Sequence, residues 1–386
     1  LGRIEAPAPD TIAFYLKEPS AAFIEALSAD IVPSKGLFAG RRTGERPIGT
    51  GPFRFARYVP DEKIELQAFP RYFGGKPSYD NLIFRILPEE TVRILELESG
   101  GIHFIQNAFT PDLLPRFEAN PRLRIKAKEG TNFTYIGFNL SDPIISRIKV
   151  RRAIAHAIDR RSIILHILKG LATEADSLLP GSHWAHGKGL PRFEHNPELA
   201  ARLLDEAGLP DPDGGGPRPR FSLVYKTSQN ELRRRIATVI AGQLKKVGIE
   251  VKVRSYEWGT FFGDIRNGNF QIYSLTWVGI SDPDIYRHIF HSKFVPPNGL
   301  NRGGYSNEEV DTLVEGARGF SDPSLRAPLY NKIQKILANE LPYVNLWHSV
   351  NVAVLDRRII GYRVYPNEDL ISLAWAQLRA PQEKVD

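Results

Sequence analysis

The strongest periodicity of apolar positions lies between residues 221 and 256. "FSLVYK" (221–226) is short, apolar and rich in strand formers. In "NELRRRIATVIAGQLKKVG" (230–248), Leu232, Ile236, Ile240, Leu244 and Val247 recur every three or four residues and share one helical face. "IEVKVRSY" (249–256) then alternates Ile249, Val251 and Val253. Strand, helix and strand in that order predict a right-handed parallel crossover. A short helical stretch, "WGTFFGDIRNG", and a further strand, "FQIYSLTW" (270–277), follow.

Other segments fit around this unit. Partial alternation predicts strands at 10–18, 53–59, 63–69 and 81–87, with "PDE" turning the second into the third. "EETVRILELESGG" (89–101) predicts a helix closed by glycine. From about residue 149 helices dominate. "KVRRAIAHAI" precedes "RRSIILHILKG", which has Asp159 placed as N-cap and Gly170 as stop. "NPELAARLLDEAG" (196–208) has Asn196 as cap, Pro197 at the first helical position and Gly208 past the end. "LPDPDGGGPRPR" (209–220) has no period and reads as an exposed loop. Helices at about 307–318 and 323–340 and a strand at 343–355 complete the chain.

In open parallel α/β sheets ligands bind beyond the carboxyl ends of the strands. Three segments leave such ends: "WVGISDPD" after 276, Lys226 with "TSQN", and Tyr256 with "EWG". A large ring at a strand end can wall an apolar pocket or sit in the core, and Trp277 and Trp258 are the rings so placed. Asp282 and Asp284 could form an acid and base pair. Pro283 between them favours a turn, in which Asp282 still offers charge to a cationic ligand group.

Composition narrows the field. A chain of 386 residues predicts two domains, or one with a large insertion, and 42% apolar with 25% charged residues fits a globular protein. No run approaches the roughly 18–20 apolar residues of a spanning helix. Zero cysteines exclude disulfides, thiolate metal sites and a thiol nucleophile. The net charge of +7 collects in Arg151-Arg152, Arg160-Arg161 and Arg233-Arg234-Arg235, each in a helical pattern that reads as a solvated face. No nucleic-acid module, nucleophile elbow or phosphate-cradling loop occurs, so nucleic acid is not an expected partner. His183 with His186, and His288 with His291, have a ligand-like spacing but no third ligand nearby, and no metal or cofactor is expected.

Several stretches, taken in order, resemble one family. They are "IGTGPFRFARYVPDEKIELQAFPRYFGGKPSYDNLIFRILPEETVRILELESGGI", "TYIGFNLSDP", "KVRRAIAHAIDRRSII", "NPELAARLLDEAGL", "YEWG", "GYSNEEVDTLVEGAR" and "LYNKIQKILANELPYVNLWHS". Together they are similar to the extracellular solute-binding proteins, family 5, the peptide, dipeptide and nickel-binding group of ABC transporters. The resemblance implies an α/β, two-lobed periplasmic-binding-protein fold of type II with a two-segment hinge. Residues 1–134 are then lobe I, 135–348 lobe II, and 349–386 return to lobe I. It also implies a further segment ahead of Leu1, so that lobe I is expected to be incomplete, in keeping with a chain that has no methionine. In peptide-binding relatives an aspartate three residues after the matching tryptophan holds the ligand's α-ammonium; here that position is Ile280. That clamp is absent unless Asp282 takes its place. In dipeptide-binding relatives an arginine beyond the strand at 221–226 pairs with the ligand carboxylate, where this chain has Lys226, Thr227, Ser228 and Gln229. A lysine is a point charge and gives no bidentate fork. Trp258 and Trp277, nineteen residues apart, match the peptide-binding pattern.

The expected protein is a receptor that performs no covalent chemistry. It takes a small-molecule or peptide ligand, works as a monomer with the membrane permease of an ABC transporter, and resides in the periplasm or, membrane-anchored, outside a bacterial cell. Trp277 and Trp258 are expected to line the pocket, Gly279 and Ser281 to supply hydrogen bonds, and Asp282 or Lys226 to set ligand charge. Asn132 and Tyr135 would reach the ligand from the cleft floor, although Tyr135 reads equally well as core. A hydrolase using Asp282 and Asp284 or a histidine pair, and a sensory or chaperone-like binder, are the alternatives.

Overall fold

The computed structural model describes residues 1–29 and 47–379. The chain opens with an antiparallel hairpin, β1 (Arg3–Ala8) and β2 (Thr11–Tyr15), and a short helix, α1 (Phe23–Ala29). β3 (Phe53–Val59), β4 (Lys63–Ala68) and β5 (Asn81–Arg85) form an antiparallel sheet. Next come α2 (Glu90–Ser99), β6 (Phe104–Gln106), α3 (Leu114–Ala119) and the long β7 (Leu123–Phe138). α2 ends at Gly100, whose φ of 85° is the left-handed stop its sequence predicts.

The helical stretch holds α4 (Ile148–Ala157), α5 (Arg160–His166), β8 (Ala172–Glu174) and α6 (Pro197–Glu206). The predicted caps form. Asp159 accepts from the Ser162 amide at 2.8 Å and Asn196 from the Leu199 amide at 2.9 Å. β9 (Phe221–Ser228), α7 (Glu231–Lys245), β10 (Ile249–Tyr256), α8 (Trp258–Arg266) and β11 (Ile272–Trp277) follow. The last elements are α9 (Ile285–Phe290), α10 (Glu308–Arg318), α11 (Pro323–Glu340), β12 (Tyr343–Asp356), β13 (Ile359–Ile360) and β14 (Gln377–Leu378).

Two compact units result. One comprises Leu1–Ala26 with Thr131–Ser349, the other the described residues of Leu27–Gly130 with Val350–Asp386. The chain changes unit within α1, within β7 and within β12. In the first unit the strands run in the order β10, β9, β11, β7, β12, with β8 also on β12. β10 lies parallel to β9, as the crossover pattern predicts, and β11 is parallel to β9 as well, whereas β7 is antiparallel to β11, so the sheet is mixed.

Both faces of this sheet are covered. On one face Ile136, Leu223, Tyr225, Ile249 and Ile272 pack with α4, α6 and α7 residues such as Ile154, Leu204 and Ile240. On the other, Phe133, Tyr135, Tyr273 and Leu275 pack with Phe261, Val314, Tyr330 and Ile333 of α8, α10 and α11. Ile272 and Tyr273 of β11 thus enter opposite cores, while Ser274 and Thr276 alternate with Leu275 and Trp277 in the rest of the strand. In the second unit Ala353, Leu355, Ile359, Tyr362, Leu373 and Ala376 form a smaller core.

His348, on β12, is a buried member of the first unit. Its Nε2–H donates to the Leu178 carbonyl at 3.1 Å and its ring packs 5.5 Å from Phe133. Burial pushes the imidazole down to about 4 from its ordinary 6.5. A folded value below the unfolded one means stability that is present above pH 6.5 and lost as pH falls towards 4, by up to about 3 kcal/mol. Between those pH values the melting temperature of the wild type should therefore fall further than that of His348→Gln. Parallel declines in a differential scanning series would remove His348 as a source of acid lability.

Candidate ligand-binding wall

The site is built where β11 leaves the two cores. Its last residue, Trp277, follows Tyr273 and Leu275 on the α8 side of the sheet but is only half-buried. The indole stacks on Tyr135, with centroids 6.1 Å apart and planes 8° from parallel. The Arg302 guanidinium lies 4.7 Å from the centre of the same indole and 5.1 Å from the ring of Phe262. Phe262 stacks in turn on Trp258, 5.5 Å away and 14° from parallel. The two tryptophans are thus joined through Phe262 and an arginine.

Local chemistry fixes each part. α8 starts directly after β10 because the Glu257 carboxylate accepts from the Gly259 and Thr260 amides at 2.7 and 3.3 Å. Trp258 and Phe262 sit one turn apart and share a face, while Phe261 and Ile265 fill the core. Trp258 is left 53% exposed. Beyond Trp277 the chain turns at Gly279, whose φ of 65° favours glycine, and the Gly279 amide donates to Asn132 Oδ1 at 2.9 Å. The turn drives Ile280 into the core and leaves Val278 65% exposed. Ser281 is exposed, and its carbonyl accepts from His183 Nε2 at 3.0 Å.

Three of the expected contact residues have partners within the protein. Tyr135 is fully buried, stacked against Phe133, Tyr343 and Trp277, which is the core placement that its sequence also allowed. Asp282 is gripped by Arg326, with NH1 and NH2 donating to its two oxygens at 3.1 and 2.9 Å, and it also accepts from the Asp284 amide at 2.8 Å. Its charge is already answered. Lys226 is likewise spent, with Nζ 2.6 Å from Asp264 and over the ring of Tyr256. Asp284 is buried beside Arg318 at 3.4 Å, and burial raises its carboxyl above the usual range. His186 Nδ1 meets the Leu179 carbonyl, and His291 Nδ1 accepts from the Lys293 amide.

Arg302, Phe262 and Arg326 are the residues that linear reading passes over. Arg326 had a signal, since it shares a face of α11 with Tyr330, Ile333 and Leu337, and an arginine in an apolar stripe needs a partner. Arg302 lies in "NGLNRGGY", where no period exists and the neighbours come from β11 and α8. A separate cavity of about 480 Å³, lined in part by Asp159, Arg160, Glu174, Arg192 and His195, has none of the wall residues in its lining.

The central strand of this mixed α/β fold thus ends in stacked aromatic rings, with Asp282 and Asp264 beside it already paired. The chain belongs to the bacterial extracellular solute-binding proteins, family 5: the model "Bacterial extracellular solute-binding proteins, family 5 Middle" matches residues 2–295. This is a class of solute-binding proteins and not of enzymes. The oligopeptide-binding protein AppA of Bacillus subtilis is 32% identical over 353 residues, covering 89% of this chain and 64% of that protein. The dipeptide-binding protein of Escherichia coli is 28% identical over 367 residues, covering 92% of this chain and 68% of that protein. The chain therefore spans about two thirds of the length of these relatives. The solved structure of Bacillus subtilis AppA in complex with a nonapeptide is 29% identical and matches with a TM-score of 0.84, covering 98% of this chain and 78% of that one. The fold is that of the type II periplasmic binding proteins.

The pairing of Asp282 has a direct test. Asp282→Ala strands the buried Arg326 cation and should destabilise the protein by about 3 kcal/mol. Denaturant unfolding of the unliganded protein reads this, and an unchanged midpoint would return Asp282 to the set of free ligand-binding charges.

Proposed function

We propose that the chain acts outside the cytoplasm as the solute receptor of an ABC import system, taking a peptide-like solute on the wall around Trp277 for delivery to a membrane permease. The observation that carries this reading is the stack itself. Trp258 stands half in solvent on Phe262, at the carboxyl end of a sheet whose interior is closed. Flat aromatic faces accept the amide planes and side chains of varied peptides by apolar contact, which suits a receptor of broad specificity. The oligopeptide- and dipeptide-binding relatives and the nonapeptide complex of AppA support the choice of ligand.

In this reading Trp258 and Trp277 supply the faces. Asn132 holds the turn so that the backbone of Val278, Gly279 and Ser281 meets the solute. Tyr135 keeps the Trp277 ring in place, and Lys226 and Asp282 serve the frame. The receptor works as a monomer, free in the periplasm or anchored to the membrane; among the described residues no helix is long and apolar enough to cross a membrane. The hydrolase alternative loses its carboxylate pair, because Asp282 faces Arg326 and Asp284 lies beside Arg318.

Denaturing the purified native protein and identifying released solutes by mass spectrometry tests the reading. A peptide-like solute is expected from the wild type. Trp258→Ala, a change at a half-exposed ring, should leave the melting temperature nearly unchanged while cutting the retained solute about tenfold, equivalent to about 1.4 kcal/mol. Equal retention by both would take Trp258 out of the site.

A further inference from the structure

The charged side chains around the wall fall into two groups. Those with partners are Lys226 with Asp264, Asp282 with Arg326, and Glu257, whose carboxylate caps α8. Arg302 has no carboxylate within ion-pair distance among the described residues; around it lie the indole of Trp277, the ring of Phe262 and the hydroxyls of Tyr135, Tyr273 and Tyr343. One of its donors, on NH1, reaches the Tyr135 hydroxyl at 3.3 Å. Arg233 also lacks a carboxylate partner among the described residues, but its NH2 donates to Thr276 Oγ1 at 3.4 Å. Burial raises the Tyr135 hydroxyl well above its ordinary value, so it stays neutral and offers Arg302 no negative charge.

A guanidinium has five N–H donors, and a half-buried one without a counter-charge is an uncompensated cost of the fold. The two aromatic rings recover part of that cost through their negative faces. They also hold the planar group in one orientation, so less freedom remains to be lost when its edge is taken by a planar anion. No free carboxylate is found beside Trp277 among the described residues to answer an ammonium group.

We propose that Arg302 is the charge anchor of this wall, binding a carboxylate of the solute, so that the receptor selects its ligand by an acidic end or side group and not by an amino terminus. The proposal rests on the wall being the solute site, as proposed above. It assigns to Arg302 the role that Asp282 and Lys226 cannot fill while they hold their own partners.

A random pentapeptide mixture made without Asp and Glu is the probe, supplied as free acid, as N-acetylated free acid and as C-terminal amide. A fourth mixture is amidated but contains Asp and Glu. Peptides retained by the wild-type protein after gel filtration are quantified by mass spectrometry. The free acid should be retained equally with and without acetylation, and the amide about tenfold less. Recovery by the fourth mixture would identify the side-chain carboxylate as an accepted source, and its failure would restrict the anchor to the chain terminus. Arg302→Gln should erase the difference between acid and amide, and Arg302→Lys should keep part of it. If Arg302→Gln does not fold, the wild-type arms and Arg302→Lys still decide. Equal retention of acid and amide by the wild type overturns the anchor and leaves the wall standing. Retention of no mixture at all overturns the peptide reading and the anchor together.

Discussion

Strand β11 is covered on both faces, with Ile272 in the core beside α7 and Tyr273 and Leu275 in the core beside α8, α10 and α11. Of its polar side chains Ser274 is buried and the Thr276 hydroxyl pairs with that of Thr134 at 3.0 Å, so the strand opens to its surroundings at its end. A strand buried on both sides has no solvent face on which to carry function, and the free energy holding it comes from apolar area removed from water. That rigidity is useful. Trp277 emerges at the end of the strand with its ring already stacked on Tyr135, itself locked between Phe133 and Tyr343. A binding ring set on such a base loses little freedom when a solute arrives.

Charge at the wall follows the same economy. Asp282 and Lys226, the side chains that most invite a role in recognition, are held by Arg326 and Asp264. The Asp282 and Arg326 pair closes the loop after β11 onto α11, much as Asn132 closes it onto β7 through the Gly279 amide. These polar contacts fix the loop's path more than they add stability, since a buried pair repays little beyond its own desolvation. Peptide capture on this wall is therefore proposed to depend on aromatic faces and on Arg302, a cation that no carboxylate of the described residues neutralises.

Much of the frame was legible in the sequence because local rules set it. The caps at Asp159 and Asn196, the left-handed stop at Gly100 and the strand at Ile249–Tyr256 each follow from a few neighbouring residues. β7 was not legible. Its middle, "KEGT", breaks the alternation where the chain passes between the units, and "FTYIGF" is buried on both faces and so has no period. Pro328 did not stop α11, which runs through it. At the wall the two tryptophans stood out as rings near strand ends, but the charge pairs did not. Asp282 and Arg326 are 44 residues apart, and Lys226 and Asp264 are 38. Pairing over such distances is decided by tertiary packing, and it gives two candidate ligand contacts partners within the protein.

Hydrogen exchange followed by mass spectrometry, with and without the random pentapeptide mixture as free acid, tests the location of the wall most directly. Slower exchange is predicted in the amides of 276–282 and 256–262, where the turn at Gly279 and the start of α8 present the two tryptophans. Slowing confined to segments such as 158–161 and 191–195, which line the separate cavity, with 276–282 unchanged, would contradict a solute site at the end of β11.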